Sequence, residues 1–190
     1  MDIVLASASP RREALLKMLR VRRLRIIPAI AEEILPEGLS PAETTEHLSR
    51  AKAMEVALKC RADSVIIAAD TIVYADGDIL GKPKDEQDAS RMLRMLSGKE
   101  HSVYTGVTVV KGETELTESE HTGVFFRELN DGEISAYIKT GEPMDKAGAY
   151  GAQGIASLFI ERIEGDYFNV MGLPLCRLGG MLRRLGVNLI

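Results

Sequence analysis

The stretch "SVIIAAD", Ser64 to Asp70, constrains the fold more than any other part of this chain. It is a short, unbroken apolar run, the pattern of a strand buried on both faces. A strand of that kind needs elements packed on either side of it, and the flanking sequence offers them. "DIVLA" reads as a strand and "RREALLKML" as an amphipathic helix, with Ser9 as its cap and Pro10 at the tolerated first position. "LRIIPA" is a second strand. The polar loop "AEEILPEG" then leads to Ser40, Pro41, Ala42 and Glu43, a capping box whose helix runs to about Lys59.

Beyond Asp70, "TIVYADGDILG" turns at Asp76-Gly77, a strong hairpin signal. Asp85 caps a helix reaching Leu96 and closed by Ser97-Gly98. "HSVYTGVTVVKG" and "HTGVFFREL" alternate like paired strands around the acidic loop "ETELTESE". Asn130 and Glu133 open a further helix that ends at Gly141, "ASLFIERIEG" is a late strand, and "LPLCRLGGMLRRLG" is a final helix. Helices and strands mix throughout, which specifies an α/β protein with a mixed sheet but leaves the strand order open. With no internal repeat and no low-complexity linker, the 190 residues read as one domain, or one domain split into two lobes.

The net charge of −4 and a sequence pI near 5.5 argue against a nucleic-acid binder, which usually carries a basic face. One local exception is "RVRRLR", Arg20 to Arg25. No aromatic residue interleaves with it, so it reads as a solvated helix end leading into the second strand. No apolar run approaches the roughly 18 residues of a membrane span. "MDIVLASASP" has an acid where a signal peptide carries basic charge, and a cytoplasmic location is expected. Cys60 and Cys176 lie in segments that read as helical, without CxxC spacing, and are expected as reduced core thiols.

Five stretches carry chemistry. In "LASASPRRE" a strand leaves through small hydroxyl residues onto a helix whose first turn holds Arg11 and Arg12. Unpaired N–H groups at that helix start, the positive end of its dipole and forked guanidinium donors all suit phosphate oxygens. Taken alone, the same residues also describe an ordinary capped helix with surface arginines. The glycines and lysine of a P-loop are missing, so a Walker-type site is not supported. "IIAADT" ends an apolar strand in Asp70 and Thr71, placing a carboxylate at the carboxyl edge of a sheet, where α/β sites form. "GKPKD" holds Lys82 on a short constrained loop, where it suits phosphate as a point charge. "TGEPMDKAGAYGAQG" packs four glycines and a proline among Asp145, Lys146, Tyr150 and Gln153, and loops of that composition tend to hold function. "EGDYFNVMGLPL" is a second polar, glycine-marked turn between a strand and a helix.

Taken in order, "LASASPRRE", "AADT", "GKPK", "SGKEHSVYTGV", "GEPMDKAGAYGAQG" and "GDYFNVMGLPL" resemble the Maf family of nucleotide pyrophosphatases, also known as septum formation inhibitors. The resemblance runs from about Ile3 to the final helix. It implies a mixed, curved sheet flanked by helices, with two lobes around a central nucleotide cleft. It implies hydrolysis of a nucleoside triphosphate to monophosphate and pyrophosphate with a divalent cation, magnesium, manganese or cobalt. Water attacks the α-phosphorus with Asp70 as general base. Ser7, Arg11, Arg12, Lys52 and the catalytic Lys82 match phosphate-facing positions, and Glu33 matches an acidic position near the metal, which Asp70 would share. A cationic pocket of that kind can draw in a polyanion even on a net-acidic protein, because the substrate feels the local field most.

Arg12, Thr71 and Gln153 resemble the branch acting on dTTP and UTP, since an amide can pair with the donor and acceptor edge of uracil or thymine. Ala152 stands where a bulkier aliphatic residue is more usual. A pyrophosphatase for 7-methyl-GTP or for purine nucleotides such as ITP and XTP is the nearest alternative. A nucleotide-binding regulator of septum formation is a second, and an oligonucleotide-binding module built on "RVRRLR" a third. The resemblance also implies a homodimer, with neither nucleic acid nor membrane as partner, and a role in nucleotide-pool housecleaning or cell-division arrest.

Overall fold

The protein is described by a computed structural model covering residues 2–21, 23–30 and 38–189. Its strands are β1 (Ile3–Leu5), β2 (Leu24–Ile26), β3 (Val65–Ala75), β4 (Asp78–Leu80), β5 (Glu100–Lys111), β6 (Thr114–Phe126) and β7 (Ile160–Glu164). The helices are α1 (Pro10–Met18), α2 (Pro41–Ala57), α3 (Glu86–Leu96), α4 (Asp131–Lys139), α5 (Tyr167–Val170) and α6 (Leu175–Arg184). Hydrogen bonding orders the strands β2-β1-β3-β5-β6-β7, with β4 attached to β3. β1 runs parallel to both β2 and β3, whereas β4 is antiparallel to β3 and β7 to β6, so the sheet is mixed as expected.

Four helix starts follow from local side-chain chemistry. Ser9 accepts from the Arg12 N–H, Ser40 and Glu43 form a reciprocal capping box, Asp85 accepts from the Asp88 N–H at 2.8 Å, and Asn130 pairs reciprocally with Glu133. Asp76 and Gly77 both take positive φ, 51° and 93°, which is what a tight turn between β3 and β4 requires.

The chain forms two compact units. The first comprises Met1–Asp70, Thr105–Glu120 and Gly172–Ile190. Val4, Ile66, Ala68 and Val110 of its strands, with Ala6 just after β1, meet Ala53 and Val56 of α2 in one apolar cluster. α2 also lies so close to β5 that a methyl group on Gly106 would run into the backbone carbonyl of Thr45. The second unit comprises Thr71–Tyr104 and His121–Met171. Its core gathers Leu93 and Leu96 of α3, Ile134 and Tyr137 of α4, Phe126 of β6 and Phe159. Each such fully buried large side chain contributes roughly 1.5–3 kcal/mol.

Five sequence expectations need correction. Asp70 does not end a strand: β3 continues unbroken to Ala75, because Val73 to Ala75 pair with β4. "ETELTESE" is not a loop. The turn is confined to Gly112 and Glu113, and β6 begins at Thr114. Its acids are matched there by distant cations: Glu115 by Arg50, Glu118 by Arg177 and Arg184, and Glu120 by Arg177 at 2.8 Å. "ASLFIERIEG" gives a strand only over Ile160–Glu164, its first residues forming a 3₁₀ turn at Ile155–Leu158. "LRIIPA" shortens in the same way to Leu24–Ile26. Finally, neither cysteine is a core thiol: Cys60 is half-buried beyond the end of α2 and Cys176 is exposed on α6, both unpaired. Arg20, Arg23 and Arg25 are exposed, in keeping with a solvated segment, and among the described residues no helix is long and apolar enough to cross a membrane.

Candidate active site

Side chains alternate along a strand. Ile66, Ala68 and Asp70 therefore share one face of β3, and on that face Ala53 and Val56 of α2 pack against the first two. Lys52 precedes Ala53 on the helix and reaches the third. Its Nζ donates to Asp70 Oδ1 at 2.5 Å, with the two side chains only 15% and 9% exposed. Lys52, expected to face phosphate, thus stands against the carboxylate expected to act as base.

Ser7 and Arg12 are built beside the same strand. β1 pairs in parallel with β3 at Leu5↔Ile67, and the Ala6 N–H donates to the Ile67 carbonyl at 2.8 Å. Both chains then run on in the same direction, to Ser7 and to Asp70. The buried Ser7 Oγ accepts from the Ser9 N–H at 3.1 Å and from Arg12 Nη1 at 3.2 Å. Arg12 Nε donates to the Gly172 carbonyl at 2.7 Å. Gly172 lies in the glycine-marked turn of "GDYFNVMGLPL" and takes φ 103°, so a position legible only as a turn proves to aim a carbonyl at the guanidinium. Arg11 precedes Arg12 in the first turn of α1 and is half-buried.

Thr71 follows Asp70 in β3 and is half-buried, whereas Lys82 is exposed on the loop after β4. Gln153 is exposed in a turn closed by the Gly154 N–H donating to the Gly151 carbonyl at 3.0 Å, with Ala152 buried beside it. Glu33 lies outside the described residues. Among the described residues no group of three or more His, Cys, Asp or Glu side chains stands where it could hold a metal ion. Sequence reasoning gave no role to Glu142, Tyr137 or Asn169, although Glu142 and Asn169 fall inside the quoted motifs. Asn169 Nδ2 donates to the Val103 carbonyl at 3.0 Å and to Thr122 Oγ1 at 2.9 Å, fixing the turn that follows β7.

The chain matches the family model described as Maf-like protein over residues 2–185. It is 52% identical over 187 residues to the dTTP/UTP pyrophosphatase of Koribacter versatilis, covering 98% of this chain and 96% of that one. It is 49% identical over 191 residues to that of Pelotomaculum thermopropionicum, covering 100% and 99%. The Staphylococcus aureus Ham1 protein shares the fold, with a TM-score of 0.52 at 15% identity over 97% of this chain and 100% of that one. By the family match and by these full-length identities, the chain belongs to the Maf-like family.

Proposed function

We propose that this chain hydrolyses dTTP and UTP to the nucleoside monophosphate and pyrophosphate. The observation that carries the chemistry is the Lys52–Asp70 pair, a carboxylate held by an ammonium at 2.5 Å on β3, the strand that pairs with β1 just ahead of the Ser7–Arg12 turn. The choice of nucleotide is supported by the names of relatives about half identical along their whole length. The family match over residues 2–185 supports reading residues 1–190 as one catalytic domain.

Asp70 accepts the proton of a water molecule as its oxygen bonds the α-phosphorus and the α–β bridging bond breaks, releasing pyrophosphate. Lys52 holds the carboxylate in a fixed orientation. Arg11, Arg12, Ser7 and Lys82 bind phosphate oxygens, and the cations among them stabilise charge gathering on the leaving group. Thr71 and Gln153 discriminate among bases. The donor set also suits a divalent ion: Asp70 offers a hard carboxylate oxygen, and such ions are commonly held by one or two carboxylates with substrate phosphates and water completing the shell. Asp70, with Glu33, would hold it, and the ion would neutralise triphosphate charge. The same reading extends to a homodimer in the cytoplasm.

A panel of nucleoside triphosphates assayed for pyrophosphate, with magnesium, manganese and cobalt in parallel, tests the proposal. Turnover is expected to be highest for dTTP and UTP and to be lost with chelator. Faster turnover of 7-methyl-GTP, ITP or XTP would overturn the specificity.

A further inference from the structure

Gln153 stands in a turn that closes on itself through one short main-chain bond, from the Gly154 N–H to the Gly151 carbonyl at 3.0 Å. Glycines bracket it at Gly151 and Gly154, and glycine backbones are the least restricted. A side chain thirteen residues upstream of Ile155 anchors the end of the turn as well. Glu142 Oε2 accepts from the Ile155 N–H at 3.0 Å, and its Oε1 accepts from the Tyr137 hydroxyl at 3.0 Å. Tyr137 is buried on α4, so the carboxylate ties the residue directly after the turn to the core of its unit. Charged acceptors make bonds of this kind roughly twice as strong as neutral ones.

Both glycines are explained by the same cluster. A methyl group on Gly154 would run into the Glu142 carboxylate, and one on Gly151 would meet Lys146 Cε at 2.7 Å. Lys146 is itself held, its Nζ donating to the Glu142 carbonyl and to Asp145 Oδ1, each at 2.6 Å. The glycines leave room for the clamp, and the clamp supplies the rigidity that the glycines lack.

We infer that Glu142 is a positioning residue for Gln153, its carboxylate bridging Tyr137 to the Ile155 N–H so that the glutamine is presented to the nucleotide base in one orientation. This rests on the base-discriminating role proposed for Gln153. Ile155 is 46% exposed, so its N–H can turn to water when Glu142 is replaced and the fold survives. In Glu142→Ala, KM for dTTP and UTP rises about tenfold while kcat stays within about twofold, and the preference for dTTP over dGTP falls about tenfold, on the scale of one loosened side chain. Gly154→Ala provides an independent route. Its φ of −104° and ψ of −153° are open to alanine, so the variant displaces the carboxylate without backbone strain and reproduces the same shift in KM and preference. The two substitutions combined do no more than Glu142→Ala alone.

Gln153→Ala separates the inference from the reading beneath it. The expected result is loss of preference in Gln153→Ala, with no further loss on adding Glu142→Ala. Preference unchanged in Gln153→Ala overturns the role of the glutamine, and the inference with it. Preference lost in Gln153→Ala but kept in Glu142→Ala and Gly154→Ala overturns the inference alone. So does a Glu142→Ala variant that loses kcat and thermal stability while KM and preference stay native, because that is the mark of a purely structural residue.

Discussion

Lys52 Nζ lies 2.5 Å from Asp70 Oδ1, joining α2 to a carboxylate set five residues before the end of β3. Removing one member of so enclosed a pair leaves an uncompensated charge, at a cost of about 3–5 kcal/mol. Lys52→Met is expected to lose stability on that scale in urea unfolding, and part of the loss returns when Asp70→Asn is added. Asp70→Asn alone should lower kcat by about 10²–10⁴ while nucleotide binding, measured by calorimetry, stays within a few fold. Undiminished turnover in that variant would remove Asp70 as the base.

Arg12 is aimed by two acceptors, the Gly172 carbonyl at 2.7 Å and Ser7 Oγ at 3.2 Å. A lysine has no fork with which to meet both and still face a phosphate. Arg12→Lys is expected to lower kcat/KM roughly ten- to a hundredfold, the worth of one or two bonds to a charged group. Steady-state kinetics on dTTP and UTP check this, and an effect below about threefold would contradict the placement.

At Gly106, β5 lies against the backbone of α2 with no room for a Cβ. Gly106→Ala has to push the Thr45 carbonyl away, and overpacking of this kind costs about 1–3 kcal/mol or more. For a chain of this size that is a fall in Tm of about 3–10 °C. A thermal melt measures it, and an unchanged Tm would mean that the helix moves freely.

His101 is buried against Phe126 and Tyr150, its Nε2 bonded to the Tyr150 hydroxyl at 2.8 Å and its Nδ1 without a partner among the described residues. Burial lowers its pKa from 6.5 to about 4. The unfolded chain therefore takes up a proton that the folded chain refuses between those two values. The contribution to stability is complete above pH 6.5 and is lost as pH falls towards 4, by an amount on the order of 3 kcal/mol. Urea midpoints measured across that range should fall with acid, and less steeply in His101→Phe. Identical pH slopes for the two proteins would refute the assignment.

What could be read in the sequence is what acts over short range. The caps at Ser9, Ser40, Asp85 and Asn130 each bond a backbone N–H three residues away, so the pattern and the interaction are the same thing. Asp70-Thr71 mimics the end of a strand, and only pairing with β4 carries β3 onward. The acids of β6 read as a solvated loop because Arg177 and Arg184, which neutralise Glu118, lie about sixty residues away. Residue chemistry and family resemblance named Asp70, Lys52, Ser7 and Arg12 as candidates, but not that Lys52 would grip the carboxylate. The acceptor role of the Gly172 carbonyl and the clamp at Glu142 left no local signature, since each depends on a partner that only the folded chain brings near.

Because the ladder holds β3 both before Asp70, at Ile67, and after it, at Val73, that stretch cannot gain or lose a residue without unzipping its neighbours. The turn at 151–154 takes no part in that ladder: Lys146 and Glu142 restrain its two glycines, but the exposed Gln153 can change with every strand intact. On the roles proposed for Asp70 and Gln153, hydrolysis and recognition are mounted on parts of unequal tolerance, so a descendant of this protein could acquire a new nucleotide preference by exchanging one exposed turn residue while inheriting its bond-breaking step unaltered.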